Sequence, residues 1–270
     1  MASLADIVRQ DAMTSRLLGV DFVPLAPRRP SADRVDAAPP APAATDAPSV
    51  SEIKPAPAVT EAERARRAAL LEEVRQRYLR DEPHRHFVTD HHTIVFGEGD
   101  PAARLMFIGE APGAEEDKVG RPFVGRSGEL LEKMIRAMGL RREQVYICNV
   151  LKTRPPNNAT PTIDEASRCA PYLFDQIAAV LPEVIVTLGL PASRVVLATD
   201  STMSAMRGRW FTWRHPDALR FPDLLIPVMP TFHPAFVLRQ YTEETRGKVW
   251  SDLRQVMQRL GLEAARSAQS

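Results

Sequence analysis

The stretch that decides the fold is LMFIGEAPGAEEDKVGRPFVGRSGELL, residues 105–131. It opens as an apolar strand, passes through a glycine-rich turn and ends as the start of an amphipathic helix. A turn of this kind at a strand's carboxyl end usually cradles a phosphate with backbone N–H groups. Glu110, Glu115, Glu116 and Asp117 argue against an anion here, so the turn needs another partner.

The same rhythm continues outward. Leu130, Leu131, Met134, Ile135 and Met138 fall on one face of a helix over 127–139, which Gly139 stops. VYICNV at 145–150 is a second strand, IDEASRCAPYLFDQIAAVL a helix, EVIVTLG at 183–189 a third strand and PASRVVLA a helix opened by Pro191. LLIPVMPTF at 224–232 is the fourth strand, and a helix closes the pattern near Leu260. Strands that are apolar throughout, alternating with helices, predict a three-layer α/β/α fold around a central four-stranded parallel sheet. RGRWFTW at 207–213 reads as a small β excursion before the last strand. Upstream, Thr60 and Glu63 form the signature of a capping box that starts a charged helix reaching about Leu79.

The 270 residues divide into three parts. Residues 1–26 carry Leu4, Ile7, Val8, Leu17 and Leu18 at amphipathic spacing. Residues 27–59 are rich in Pro and Ala and read as a flexible linker. Residues 60–265 form the α/β domain. A helix as short as the N-terminal one needs a surface, so it either folds back on the domain or engages a protein partner. With 44% hydrophobic and 26% charged residues the composition is that of a soluble globular chain, and a formal net charge of +1 leaves no global basic field. No apolar run reaches membrane-spanning length and no secretory signal is present, so a cytoplasmic location is expected. Two cysteines, Cys148 and Cys169, cannot build a disulfide framework or supply four thiolates to a cluster.

In a parallel sheet the ligand sits beyond the carboxyl ends of the strands. Glu110, Asn149, the Lys152/Arg154 loop and His233 all fall there, with Phe123 as a stacking candidate. A carboxylate, an amide, an imidazole and a ring suit a flat heterocycle, with no metal required. The His and Cys spacing matches no zinc site.

GEAPGAEEDKVGRPFVGRSGELL, YICNVLKTRPPNN and TFHPAFVLR resemble the motifs of the uracil-DNA glycosylase superfamily, closest to its family 4. The resemblance covers about residues 93–260. It implies a monofunctional DNA glycosylase of base excision repair. Such an enzyme flips uracil out of single- or double-stranded DNA, hydrolyses its N-glycosidic bond and leaves an abasic site. Phe123 would stack on the base and Asn149 would read it, with Gly109 and Ala111 beside them. His233 would donate to O2 as negative charge grows there. Glu110 would position or activate water at the sugar, with Glu116 as a second candidate. Glu115 and Asp117 read as a solvated turn capping backbone N–H groups. Arg121, Lys152, Arg154 and Arg239 would hold phosphates, with Lys118, Arg126 and Arg207 nearby. Phe236 or Leu238 would fill the space left by the flipped base. Alternatives are a non-catalytic nucleic-acid-binding module of the same fold and a glycosylase for another deaminated base.

Family 4 implies a [4Fe–4S] cluster on four cysteines. Here the first pair's place falls near Glu82 and Arg85, Thr153 stands at the third position, and only Cys169 remains. The cluster is therefore expected to be absent. His84, His86, His91 and His92 are read as packing or solvated side chains rather than a replacement metal site. Phe87, Val88 and the 60–79 helix are the expected cover. The branch that traps the sugar covalently uses a histidine after the second strand. KTRPPNNATPTIDE has none, so release of uracil is expected. A monomer is expected.

Overall fold

The computed structural model describes residues 59–263. The 1–26 segment and nearly all of the 27–59 linker lie outside them.

The domain opens with helix α1, Glu61–Asp81. Thr60 Oγ1 accepts the Glu63 N–H at 3.2 Å, but the Glu63 carboxylate turns to Arg66 and Arg67. The capping box is thus half-formed there. A complete one starts the later helix at Thr162 and Glu165.

Six strands follow, in the order β1-β3-β2-β4-β6-β5: β1 Glu98–Gly99, β2 Leu105–Gly109, β3 Tyr146–Asn149, β4 Val184–Leu188, β5 Phe211–Arg214 and β6 Leu225–Thr231. The central β3, β2, β4 and β6 are mutually parallel. Four strands were expected. Two antiparallel edges extend the sheet, Glu98 opposite Ile147 at one end and Phe211 opposite Val228 at the other. The first edge is two residues long and too short to leave a sequence period. The second is the expected β excursion.

The remaining helices are α2 Ala114–Val119, α3 Arg126–Ala137, α4 Ile163–Val180, α5 Leu190–Leu197, α6 Met203–Met206, α7 Pro234–Arg239 and α8 Glu243–Leu260. The strands' alternation assigns them to layers. Met106, Ile108, Tyr146, Cys148, Ile185 and Val228 pack on one face with Leu71 and Tyr78 of α1, Leu173 of α4 and Val196 of α5. Leu105, Phe107, Ile147, Val184, Val186 and Met229 pack on the other with Leu131 and Ile135 of α3, Val237 of α7 and Leu253 of α8. Burial on both faces explains why the strands read as continuous apolar runs. The chain runs from β2 to β3 on one side and later returns to β4 on β2's other side. This topological switch opens a crevice at the carboxyl ends. Among the described residues no helix is long and apolar enough to cross a membrane.

Candidate active site

A crevice of about 880 Å³ lies at those carboxyl ends, lined by Glu110, Ala111, Glu116, Phe123, Asn149, Thr160, Gly189, Phe232, His233, Phe236 and Arg239 among others. Glu110 follows β2, Asn149 ends β3, Gly189 follows β4 and His233 follows β6. The expected group of carboxylate, amide, imidazole and ring is therefore brought together by four consecutive central strands.

Asn149 is 1% exposed, and its Oδ1 is buried without a hydrogen-bond partner. A buried acceptor in that state is costly unless a ligand completes it. Phe123 is buried and sits at φ 51°, the left-handed region, where a non-glycine residue is uncommon. Its ring centroid lies 5.6 Å from that of His233, tilted by 31°. Four hydrogen bonds hold this turn. The Phe123 carbonyl accepts Arg142 Nη1 at 3.0 Å and Arg142 also reaches the Pro122 carbonyl. Glu116 Oε1 accepts the N–H groups of Val124 and Gly125, both at 2.9 Å. Glu116 therefore anchors the turn that carries the ring.

Gly109 does not belong to the crevice wall. It lies beneath, where a Cβ would come within 2.7 Å of Phe123 Cε2 and inside contact distance of Asn149 Oδ1. Its place in the motif comes from the close approach of ring and amide, a correction to its expected contact with the base.

His233 Nδ1 accepts the Ala235 N–H at 3.0 Å. The proton of the neutral ring is then on Nε2. Desolvation pushes the His233 pKa down to about 4, helped by Arg239 and opposed by Glu116. At neutral pH the imidazole is an uncharged donor. Burial pushes the Glu110 carboxyl above its ordinary value, against the Thr160 hydroxyl and Arg239, which favour the charged form.

The expected phosphate set changes most. Lys152 is fully buried, its Nζ donating to the Asn149 carbonyl at 2.7 Å and to Gln176 Oε1, so it cannot reach a phosphate. Arg121 is bound by both oxygens of Glu98 at 2.6 and 3.2 Å. Arg154 is held by Asn158 at 2.8 Å and Asp90 at 3.4 Å. Neither lines the crevice; Arg126 and Arg239 do. Asp117 caps backbone N–H groups as expected but is not solvated. It is 1% exposed and takes the N–H groups of His92 and Thr93 at 2.8 and 3.0 Å. Burial works against its charge, and these bonds with that from the His92 ring outweigh it and lower the pKa.

Sequence reading missed Gly189 and Arg142. At Gly189 φ is +89° and a Cβ would lie 2.9 Å from His233 Cβ, so only glycine lets the imidazole sit there. The G of LGLP was the available signal. Arg142 gave none, because its role depends on a contact across nineteen positions of chain.

The positions at which the family resemblance implies cluster ligands are surrounded by packed side chains. Tyr78 of α1 is fully buried, stacks on His84 at 5.5 Å and meets Tyr172 edge-on at 5.1 Å. Tyr78, on the helix expected to supply the cover, is its main residue. Phe87 packs against the same core, whereas Val88 is 75% exposed and covers nothing. Thr153 and Cys169 are buried and Glu82 pairs with Arg85 at 2.8 Å. One thiol among these positions does not fit a four-thiolate cluster, and Cys148 lies within β3. The histidines do not converge on one point: His84 stacks on Tyr78 and meets His91 edge-on at 4.9 Å, His91 also bonds Thr89 at 2.6 Å, His92 bonds Asp117 at 2.7 Å, and His86 is in solvent. Among the described residues no group of three or more His, Cys, Asp or Glu is arranged to hold a metal ion.

Fold and site together define a three-layer α/β/α protein with a crevice built to read a flat heterocycle. The family model of the uracil DNA glycosylase superfamily matches residues 96–254, and the chain belongs to that superfamily. A type-4 uracil-DNA glycosylase of Thermotoga maritima is 45% identical over 161 residues, 59% of this chain and 79% of that protein. One of Archaeoglobus fulgidus is 40% identical over 166 residues, 60% of this chain and 79% of that protein. A type-5 uracil-DNA glycosylase of Pyrobaculum aerophilum is 35% identical over 152 residues, 51% of this chain and 63% of that protein.

Proposed function

We propose that the protein is a monofunctional uracil-DNA glycosylase that releases uracil from DNA and leaves an abasic site. The observation that carries this reading is the buried, unpartnered Oδ1 of Asn149 beside the Phe123 ring. Oδ1 accepts the N3–H of a flipped uracil and the side-chain NH₂ donates to O4. Cytosine offers a lone pair at N3 and an amine at C4, so both bonds fail. Leaving polar groups unpaired is how such a site rejects a near-isostere.

As the N1–C1′ bond breaks, its electron pair departs with the base and charge grows on O2. The uncharged Nε2–H of His233 donates there, in a site dry enough to strengthen the bond. The sugar becomes cationic and Glu110 faces it, orienting the water whose oxygen bonds to C1′ while the water's proton ends on the released base or solvent. Arg239 and Arg126 hold flanking phosphates, so binding weakens with salt. Phe236, stacked on Phe232 at 4.8 Å, fills the space vacated in the duplex. Among the described residues no lysine lines the crevice, so a Schiff base and strand cleavage are not part of the reaction.

The protein carries this out without a [4Fe–4S] cluster, in keeping with its single thiol at the four ligand positions. It acts as a cytosolic monomer on single- or double-stranded uracil-containing DNA. The 1–26 segment, tethered by the 27–59 linker, engages a protein partner. The decisive experiment measures uracil release from oligonucleotides by wild type, Asn149→Ala and His233→Ala. Wild type releases uracil and both variants lose at least about a hundredfold, the scale of one misplaced or missing transition-state contact. A folded wild type inactive on both strand contexts overturns the reading.

A further inference from the structure

Lys152 is the one assignment that the structure displaces altogether, and its new surroundings give it another task. It lies three residues past Asn149, is fully buried, and has no carboxylate within 4.0 Å among the described residues' ion pairs. Desolvation holds its pKa below the ordinary lysine value. A buried ammonium without a counterion is an expensive choice where a methionine would fill the same volume. Hydrogen bonds offset the cost. Nζ donates to the Asn149 carbonyl at 2.7 Å and to Gln176 Oε1, and lies 5.5 Å from the centre of the Phe96 ring. Gln176 of α4 is in turn fixed by its Nε2, which donates to the Phe96 carbonyl at 3.0 Å and the Tyr146 hydroxyl at 3.3 Å.

This network reaches the active site at one atom. Asn149 is the last residue of β3, beyond the pairing with β1, which ends at Ile147. Its side chain is held only by packing over Gly109 on one side, since Oδ1 has no partner. The N–H side of the Asn149–Val150 peptide is tied to β2, Val150 N–H donating to the Gly109 carbonyl at 3.0 Å. Lys152 holds the opposite, carbonyl side from behind and ties it to α4.

We propose that Lys152 is a positioning residue for substrate reading: with Gln176 it locks the Asn149 peptide so that the side-chain amide meets the uracil edge in register. This rests on Asn149 being the base reader. Lys152→Met keeps the volume and removes the donor. On uracil-containing single-stranded oligonucleotide it should lower kcat/KM by about ten- to a hundredfold, the loss expected when a reading group shifts by a fraction of an ångström to an ångström. It should also weaken inhibition by free uracil. In an Asn149→Ala background the same substitution should change kcat/KM by less than about threefold, because the group it positions is gone.

Equal losses in both backgrounds, or no loss in the wild-type background, overturn the proposal while leaving Asn149 as reader intact. An Asn149→Ala protein as active as wild type overturns the base-reading assignment itself. If Lys152→Met does not fold, Gln176→Met, which removes the same anchor from the other end, is put through the same cycle with the same outcomes.

Discussion

Of the three carboxylates that line the crevice, Glu115 is paired with Lys118 at 2.9 Å, and substitution by glutamine separates the tasks of the other two, Glu110 and Glu116. Glu116 Oε1 takes two backbone N–H groups at 2.9 Å. A hydrogen bond to a charged acceptor contributes about 1.5–3 kcal/mol and one to a neutral acceptor about 0.5–1.5 kcal/mol. Glutamine keeps an oxygen in place but loses the charge, so Glu116→Gln costs about 2 kcal/mol across the pair. If all of that appeared as opening of the 123–125 turn, activity would fall by about thirtyfold at most, at about 1.4 kcal/mol per tenfold. Glu116→Ala leaves both N–H groups without their acceptor and frees Phe123, which already occupies an unfavourable left-handed backbone. Its loss should exceed that of the glutamine variant and be accompanied by a lower Tm. Glu110→Gln, by contrast, removes the carboxylate at the sugar and should cost about 10²–10⁴-fold with little change in Tm. Single-turnover uracil release, read beside thermal melting, distinguishes them. A Glu116→Gln protein that melts normally yet loses more than a thousandfold, while Glu110→Gln stays within tenfold, would refute the division of labour drawn from the two N–H contacts.

The acid limb of the rate profile should have its midpoint above 4.5, because burial raises the Glu110 pKa from that value; Glu110→Gln should flatten the limb. His233 protonates near pH 4 when folded and near 6.5 when unfolded. The unfolded chain then holds the extra proton between those values, and stability should fall by roughly 3 kcal/mol as pH drops from 6.5 to 4. Denaturant melts of wild type against His233→Gln check this, since the variant lacks that component. Tyr78 Oη is buried beside Cys169 and Thr153 without a well-formed hydrogen bond among the described residues, so Tyr78→Phe should change stability by less than about 1.5 kcal/mol, whereas Tyr78→Ala should cost about 3–5 kcal/mol for the cavity. The purified protein should show no broad visible absorption of thiolate-to-iron charge transfer, and added chelator should leave Tm unchanged.

What was legible in the sequence divides by the range of the interaction. The parallel core could be read because each of its strands is buried on both faces and so is written as an uninterrupted apolar run. The crevice could be read because Glu110, Asn149 and His233 each follow such a run directly. The edges obey neither rule: Glu98–Gly99 is two residues of polar and flexible chain, paired only because Gly99 packs against the Val145 backbone. Charge misled for a similar reason. Lys152, Arg121 and Arg154 look identical to phosphate binders in sequence, and only the fold shows that one is buried and two are matched to Glu98 and Asp90. Asp117 went from a solvated turn to a buried cap because its donors, His92 and Thr93, arrive from 25 and 24 positions away.

The Tyr78 cover and the base pocket are two ends of one packing problem. Thr153 stands next to Lys152, and Cys169 lies about two helical turns before Gln176 on the same face of α4. The side chains packed around Thr153 and Cys169 therefore press on the same loop and helix that hold the Asn149 carbonyl. Tyr78 supplies most of that packing from α1, which is itself pinned to α4 by Arg67 on the Val180 carbonyl at 2.6 Å and by Tyr172 on Asp81 at 2.7 Å. Close-packed interiors transmit a lost side chain to their neighbours rather than absorb it. Tyr78→Ala should therefore lower uracil affinity as well as Tm. Its effect on kcat/KM should shrink in the Asn149→Ala background, as that of Lys152→Met does. A Tyr78→Ala protein that is less stable but binds free uracil as wild type does would show that the plug and the pocket are mechanically independent.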